Sequence, residues 1–447
     1  MAGGEWFAPR AEERVHARVR VPGSKSETNR ALVLAAIADG PSTITGGLDA
    51  RDTQLMRDAL RALGTTIDDG TDVWRVTPAA DDHRMGGTID CGLAGTVMRF
   101  VPPLAATVPG TVTFDGDEAA RSRPMLPLLD ALTDIGADLD DSDALPFTLT
   151  GRPDLPGGPV NIDASTSSQY VSALLLAAPR FARGIDLRHV GPTLPSLPHI
   201  AMTVAMLRER GVDVDQPEEH RWVVAPGPVQ ARDVTIEPDL SNAAPFLAAA
   251  LVTEGRVTVH DWPAETDQPG AMLVDLFSAM GARVELTEDG LTLTGTGHVR
   301  ALEADLSAAS ELTPVLAAVC ALAHGTSHLT GIGHIRGHET DRLAALEAEL
   351  HGLGAAVSQH EDGLTIHPRL LHGGTWRTYA DHRMAQAGAV LGLVVDDITL
   401  DDIGCTSKTM PQFPELWDDM LAQSDRWLAR DVAEHPEDGD EAAQDAP

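Results

Sequence analysis

Five glycines set the frame of this chain. Gly64, Gly136, Gly211, Gly281 and Gly354 stand 72, 75, 70 and 73 residues apart, and each closes an amphipathic segment such as Asp130-Ala-Leu-Thr-Asp-Ile-Gly136 just before a β-rich run. A glycine in that place caps a helix in the left-handed region. Laid against itself, the sequence gives six copies of one unit: a small-residue loop, an apolar helix, a strand, a second helix, the glycine and another strand. Each unit has one apolar face and must stack on others to bury it, so the pattern predicts an α/β fold of six such repeats, three per domain. The crossings between domains are expected near residues 21–23 and 230–234. They give a first domain of residues 23–232 and a second of residues 1–22 plus 233–430. The sixth copy, from Asp381 through Trp417 to Leu421, stops short of its final strand, and residues 15–21 are expected to complete that sheet.

Composition narrows the partners. A formal charge of −34 over 447 residues argues against nucleic acid or an anionic membrane surface, since both reward a basic face. Any anionic ligand must be small and locally received. The first 20 residues carry charges where an export signal needs an apolar stretch. The longest apolar runs, such as residues 243–252, are half the roughly 20 residues of a membrane span. Cys91, Cys320 and Cys405 lie far apart and outside any CxxC spacing, so neither a disulfide framework nor a metal site is indicated and a cytoplasmic location is expected. Residues 431–447 hold seven carboxylates and no Lys or Arg, which reads as a solvated, disordered tail.

Of 33 basic residues only Lys25 and Lys408 are lysine, in Ser24-Lys25-Ser26 and Ser407-Lys408-Thr409. A chain that takes arginine almost everywhere else keeps a compact ammonium at these two places, which points to two anion contacts. The loops that open the first helix of each repeat have related chemistry. They read Pro22-Gly-Ser-Lys-Ser-Glu-Thr-Asn-Arg30, Gly92-Leu-Ala-Gly-Thr-Val-Met-Arg99, Ser165-Thr-Ser-Ser-Gln169, Asp239-Leu-Ser-Asn242, Ser307-Ala-Ala-Ser-Glu311 and Asp381-His-Arg383. Helix starts present free N–H groups and the positive end of the dipole, so several aimed at one cleft make a receptor for phosphate and carboxylate. Capping alone explains the Ser, Thr and Asp. It does not explain the recurring cations Lys25, Arg30, Arg123, Arg342, Arg383 and Lys408. Glu339 and Arg342 share a face if Ile335-Arg-Gly-His-Glu-Thr-Asp-Arg342 opens a helix, although a capping turn with a solvated ion pair accounts for them equally at this point. Glu311 and Glu339 are the candidate acid/base carboxylates. With 17 histidines in the chain, His199, His334 and His338 are less legible. Two anionic substrates joined by acid/base chemistry fit this set, with no cofactor required.

Gly23-Ser-Lys-Ser with Asn29-Arg30, Ala94-Gly-Thr-Val-Met-Arg99, Arg123-Pro124, Ser167-Ser-Gln169, Glu339-Thr-Asp-Arg342, Asp381-His-Arg-Met384 and Lys408-Thr, in that order over about residues 20–420, resemble the 5-enolpyruvylshikimate-3-phosphate synthase family. The resemblance implies a two-domain inside-out α/β barrel of six βαβαββ-type repeats, three per domain, closing over shikimate 3-phosphate and phosphoenolpyruvate, in a monomer. It implies that Lys25 touches both substrates and that Ser26, Arg30, Ser167, Ser168, Gln169 and Ser196 hold the shikimate phosphate. Arg123, Gln169, Arg342, Arg383, Lys408 and the Gly95 backbone then receive phosphoenolpyruvate. Glu311 matches the base for the attacking hydroxyl, beside His338 on the shikimate side, and Glu339 matches the residue that protonates the enol methylene. Many members have aspartate at 311, lysine at 338, tyrosine at 199 and proline at 100. Gly95 leaves room for a phosphonate inhibitor such as glyphosate. The sister family acting on UDP-N-acetylglucosamine resembles a pattern with a cysteine in the loop before Arg123, and Asp115-Gly-Asp-Glu-Ala-Ala-Arg121 has none. A silent anion-binding module is the alternative outside catalysis, and it has no need of paired carboxylates.

Overall fold

Helices whose residues are apolar on every side belong in a core, and here they form it. In the computed structural model, which describes residues 4–80 and 82–434 (without the side chains of 427–434), every residue of helices Gly95–Ala105, Thr313–Ala321 and His382–Gly392 is buried. The sheets lie outside them. Strand Gly158–Ile162 buries Val160 and Ile162 and exposes Pro159 and Asn161, the alternation of a sheet covered on one face.

Among the described residues the strands make six sheets, five of four strands and one of three. One order recurs. In the second sheet Thr88–Asp90 runs parallel to Gly110–Asp115, which pairs antiparallel with Phe147–Gly151, itself antiparallel to Asp138–Leu139. This is the βαβαββ unit that the resemblance implies, in the element order that the glycine period gives. All five period glycines have positive φ, between +75° and +104°, so the left-handed caps stand where they were expected.

The exchange at the crossings corrects the sequence reading. Residues His16–Val19 do not complete the sixth sheet; they pair in parallel with Arg256–His260 and open the fourth. Trp6–Phe7 fills the sixth slot, antiparallel to Ile398–Leu400. The reason is reciprocal borrowing. Val234–Thr235, which precedes helix Leu240–Val252 and could have opened the fourth sheet, instead pairs in parallel with Ser42–Thr45 of the first. The vacancy in the fourth sheet needs a strand with alternate apolar residues, and Ala17 and Val19 supply it. Residues 234–236 therefore pack with the first half, beyond the expected limit at 232. Buried apolar side chains fall into two clusters, one from Ala31 to Ile236 and one joining residues 15–21 to 240–420. Helix Phe413–Glu434 runs into the stretch read as a disordered tail, and residues 435–447 lie outside the described residues.

Candidate active site

The starts of all six first helices of the repeats meet at one polar cavity of about 140 Å³ between the two halves. Lys25 and Ser26 come from the first, Thr96 and Arg99 from the second, Ser167 to Gln169 from the third, Ser241 from the fourth, Glu311 from the fifth, and His382 and Arg383 from the sixth. Arg123, Ser196, His338, Glu339 and Arg342 complete the wall. Of the expected residues, Gly95, Arg30 and Lys408 are not exposed in that wall. A larger groove of about 860 Å³, on the outer face of the sheet containing His16–Val19, holds none of these groups.

Lys25 is the first residue of helix Lys25–Ala36, after the N-cap Ser24. Its Nζ lies 3.5 Å from Oδ2 of Asp52, a residue 2% exposed. Burial lowers the Lys25 pKa, Asp52 opposes that, and Lys408 adds to it. The second lysine is buried beside Glu339: Lys408 Nζ donates to Glu339 Oε1. Arg342 Nη2 binds Glu339 Oε2 at 3.0 Å and is gripped by Asp381, with Nε–Oδ2 at 2.7 Å and Nη2–Oδ1 at 3.0 Å. Burial alone would raise the Glu339 carboxyl, but Lys408, Arg342 and Arg123 outweigh it and hold the group well below the usual carboxylate range. Arg383 donates to the Ser241 carbonyl at 2.7 Å, and Ser241 Oγ to Glu311 Oε1 at 3.2 Å. His199 Nε2 stands 3.7 Å from the same Glu311 oxygen. Burial, then Arg30 and Lys25, push His199 down to about 3, so its ring is neutral.

Two expectations change. Arg30 does not reach the cleft. It is 2% exposed, and its donors are spent on Thr203 Oγ1, the Ser26 carbonyl, Ser172 Oγ and the His199 carbonyl, so it braces the wall at Ser26 from behind. His338 is not a substitute cation. Burial and Arg342 push its pKa well down, and its Nδ1 lies 3.2 Å from Arg342 Nη1, so the neutral ring accepts. At Gly95 a Cβ would lie 2.8 Å from Arg99 Nη1 and 3.0 Å from Arg123 Nη2, two guanidiniums at the cleft. Asp52 went unread because an aspartate in a helix's first turn looks like any other dipole partner.

The model of EPSP synthase (3-phosphoshikimate 1-carboxyvinyltransferase) matches residues 9–417. The chain belongs to the EPSP synthase family. Among solved structures it is similar to an EPSP synthase from Acinetobacter baumannii, with 22% identity and TM-score 0.77 over 94% of this chain and 98% of that one. It is also similar to the enolpyruvyl transferase NikO from Streptomyces tendae, with 21% identity and TM-score 0.73 over 94% and 98% of the two chains. These likenesses show the shared two-domain α/β fold. As an EPSP synthase the enzyme transfers the enolpyruvyl group of phosphoenolpyruvate to the 5-hydroxyl of shikimate 3-phosphate and releases phosphate, a step of the shikimate pathway to the aromatic amino acids. Among the described residues no helix is long and apolar enough to cross a membrane.

Proposed function

We propose that the cleft divides this reaction between its walls. Ser26, Ser167, Ser168, Gln169 and Ser196 receive the shikimate 3-phosphate phosphate, with Arg30 acting through Ser26. Glu311 takes the proton of the 5-hydroxyl as its oxygen attacks C2 of phosphoenolpyruvate. Glu339 delivers a proton to C3, giving a tetrahedral intermediate. Loss of phosphate with return of a C3 proton to Glu339 regenerates the double bond. Lys25, Arg123, Gln169, the Gly95 backbone, Arg342, Arg383 and Lys408 hold phosphoenolpyruvate.

The observation that carries this reading is the Glu339 carboxylate clasped by Lys408 and Arg342 opposite Lys25. In the unliganded cleft those cations keep Glu339 ionised. A bound phosphate and carboxylate draw the same cations to themselves, so Glu339 rises toward the range where it takes up and donates a proton. His338, a neutral acceptor beside Arg342, contacts the shikimate side as a polar group rather than a charge. Two domains, of residues 23–236 and of 1–22 plus 237–430, close over the substrates, in a monomer of the cytoplasm. Purified protein is expected to release phosphate from phosphoenolpyruvate with shikimate 3-phosphate and not with UDP-N-acetylglucosamine. Release with the sugar nucleotide alone would assign the sister activity, and release with neither would leave a binding module.

A further inference from the structure

The two strands that cross between the halves are clasped to each other, and each leads directly into a helix of the cleft. Gly23 and Pro238 form an antiparallel bridge, with Ser24 N donating to the Glu237 carbonyl at 2.8 Å and Asp239 N to the Pro22 carbonyl at 2.8 Å. Carboxylates then lock the clasp in both directions. Glu27, in the first turn of helix Lys25–Ala36, accepts at Oε2 from Glu237 N at 3.0 Å on the other strand. Asp239, the N-cap of helix Leu240–Val252, accepts at Oδ1 from its own helix at Asn242 N, 3.0 Å, and at Oδ2 from Lys25 N, 3.2 Å. The backbone N–H of Lys25 is one that a helix start leaves without an intrahelical partner. It is satisfied here by the cap of the helix that carries Ser241, the partner of Glu311.

We propose that Glu27 and Asp239 are positioning residues for the enolpyruvyl transfer: their reciprocal contacts across the crossing set Lys25 against the Glu311 side of the cleft, and the charge on Glu27 decides how firmly. This rests on the role given to Lys25 above. The Glu27 carboxyl is enclosed by groups of one dominant sign. Glu237 faces it from the partner strand and Glu209 from helix Leu197–Glu209, with Arg30 one turn along its own helix opposing them. Asp233 and Asp267 line the same recess, as does Arg232, whose Nε lies 3.6 Å from Glu209 Oε2. Burial pushes Glu27 up to about 7; the hydrogen bond from Glu237 N opposes the rise, and the charges of Glu237 and Glu209 add to it. A neutral Glu27 keeps a carbonyl oxygen for Glu237 N without repelling the neighbouring carboxylates, whereas the ionised group strains the clasp in a poorly hydrated recess. Its raised pKa means the contribution of Glu27 is full below the ordinary carboxylate pKa and is lost as pH rises through about 7.

The test is kcat at saturating phosphoenolpyruvate and shikimate 3-phosphate from pH 6 to 8.5, for wild type, Glu27→Gln, Glu27→Ala and Asp239→Asn, with the melting temperature of each. Glu27→Gln keeps an acceptor and cannot ionise, so the ratio of its kcat to that of wild type is expected to rise about threefold or more from pH 6 to 8.5. Glu27→Ala, lacking the acceptor, is expected to lower kcat about tenfold with little change in either KM, in line with a slightly misplaced catalytic group. Asp239→Asn has one acceptor oxygen where Asp239 uses two, so it gives up either Asn242 N or Lys25 N, and it is expected to lower kcat by a factor that does not change from pH 6 to 8.5; a wild-type kcat in this variant would overturn the role given to Asp239. A Glu27→Gln ratio flat across the range, or Glu27→Ala at wild-type kcat, overturns the proposal. A wild type without phosphate release at any pH fails the functional reading instead, and the two failures are distinct.

Discussion

The two walls of the cleft are built from different chemistry. The wall from the first half is mostly hydroxyls and amide, Ser26, Thr96, Ser167, Ser168, Gln169 and Ser196, with Lys25, Arg99 and Arg123 as the cations that line it. The wall from the second half is a lattice of ion pairs in which Glu339 is held by Lys408 and Arg342, and Arg342 in turn by Asp381. Hydroxyls do not titrate and offer a phosphate the same donors at any working pH. Paired carboxylates respond to every charge that enters. In the proposed reaction the first wall serves recognition and the second proton transfer, with Lys25 between them.

Removing the proton carrier should break this contrast most severely. Glu339→Gln is expected to lower kcat about 10³–10⁴-fold while shikimate 3-phosphate binding, measured calorimetrically, stays within about threefold. Because the Glu339 pKa is depressed in the folded protein, its contribution to stability is present above the ordinary carboxylate pKa and is lost as pH falls. The melting temperatures of wild type and Glu339→Gln are therefore expected to differ at pH 7 and to converge in acid. Lys25→Arg, read by steady-state kinetics, should cost about 10²-fold in kcat. A planar fork cannot occupy the point-charge position beside Asp52. Gly95→Ala should sharpen the picture of the first wall: displaced Arg99 and Arg123 are expected to raise the glyphosate concentration for half inhibition about tenfold, with phosphoenolpyruvate KM rising less. Equal sensitivity would remove Gly95 from the account. Smallest is Ser167→Ala, where loss of one hydroxyl among several donors is expected to raise shikimate 3-phosphate KM about threefold to tenfold, the net worth of one ordinary hydrogen bond, and to leave kcat alone.

What the sequence made legible follows its periodicity. The glycine period located the helix caps, and the loops after it located all six helix starts that meet at the cleft. Local pattern could not say which strand fills which slot. Residues 15–21 read as a strand and 230–234 as a crossing, and the sheets that His16–Val19 and Val234–Thr235 join are decided by pairing with segments over 180 residues away. Arg30 failed for the same reason. It follows Ser26 by one turn of the same helix, and its withdrawal from the cleft depends on Thr203, Ser172 and His199 from the third repeat. The neutrality of His338 is likewise a matter of burial and of Arg342, neither visible in a lone residue type.

The central claim is that C3 of phosphoenolpyruvate gains and then loses a proton within this cleft. Running the wild-type reaction in D2O and measuring deuterium in the methylene of the product by NMR tests it directly. The account predicts deuterium at that carbon, because the intermediate methyl group rotates before one of its hydrogens is removed. A product methylene free of deuterium, formed at full rate, would contradict it.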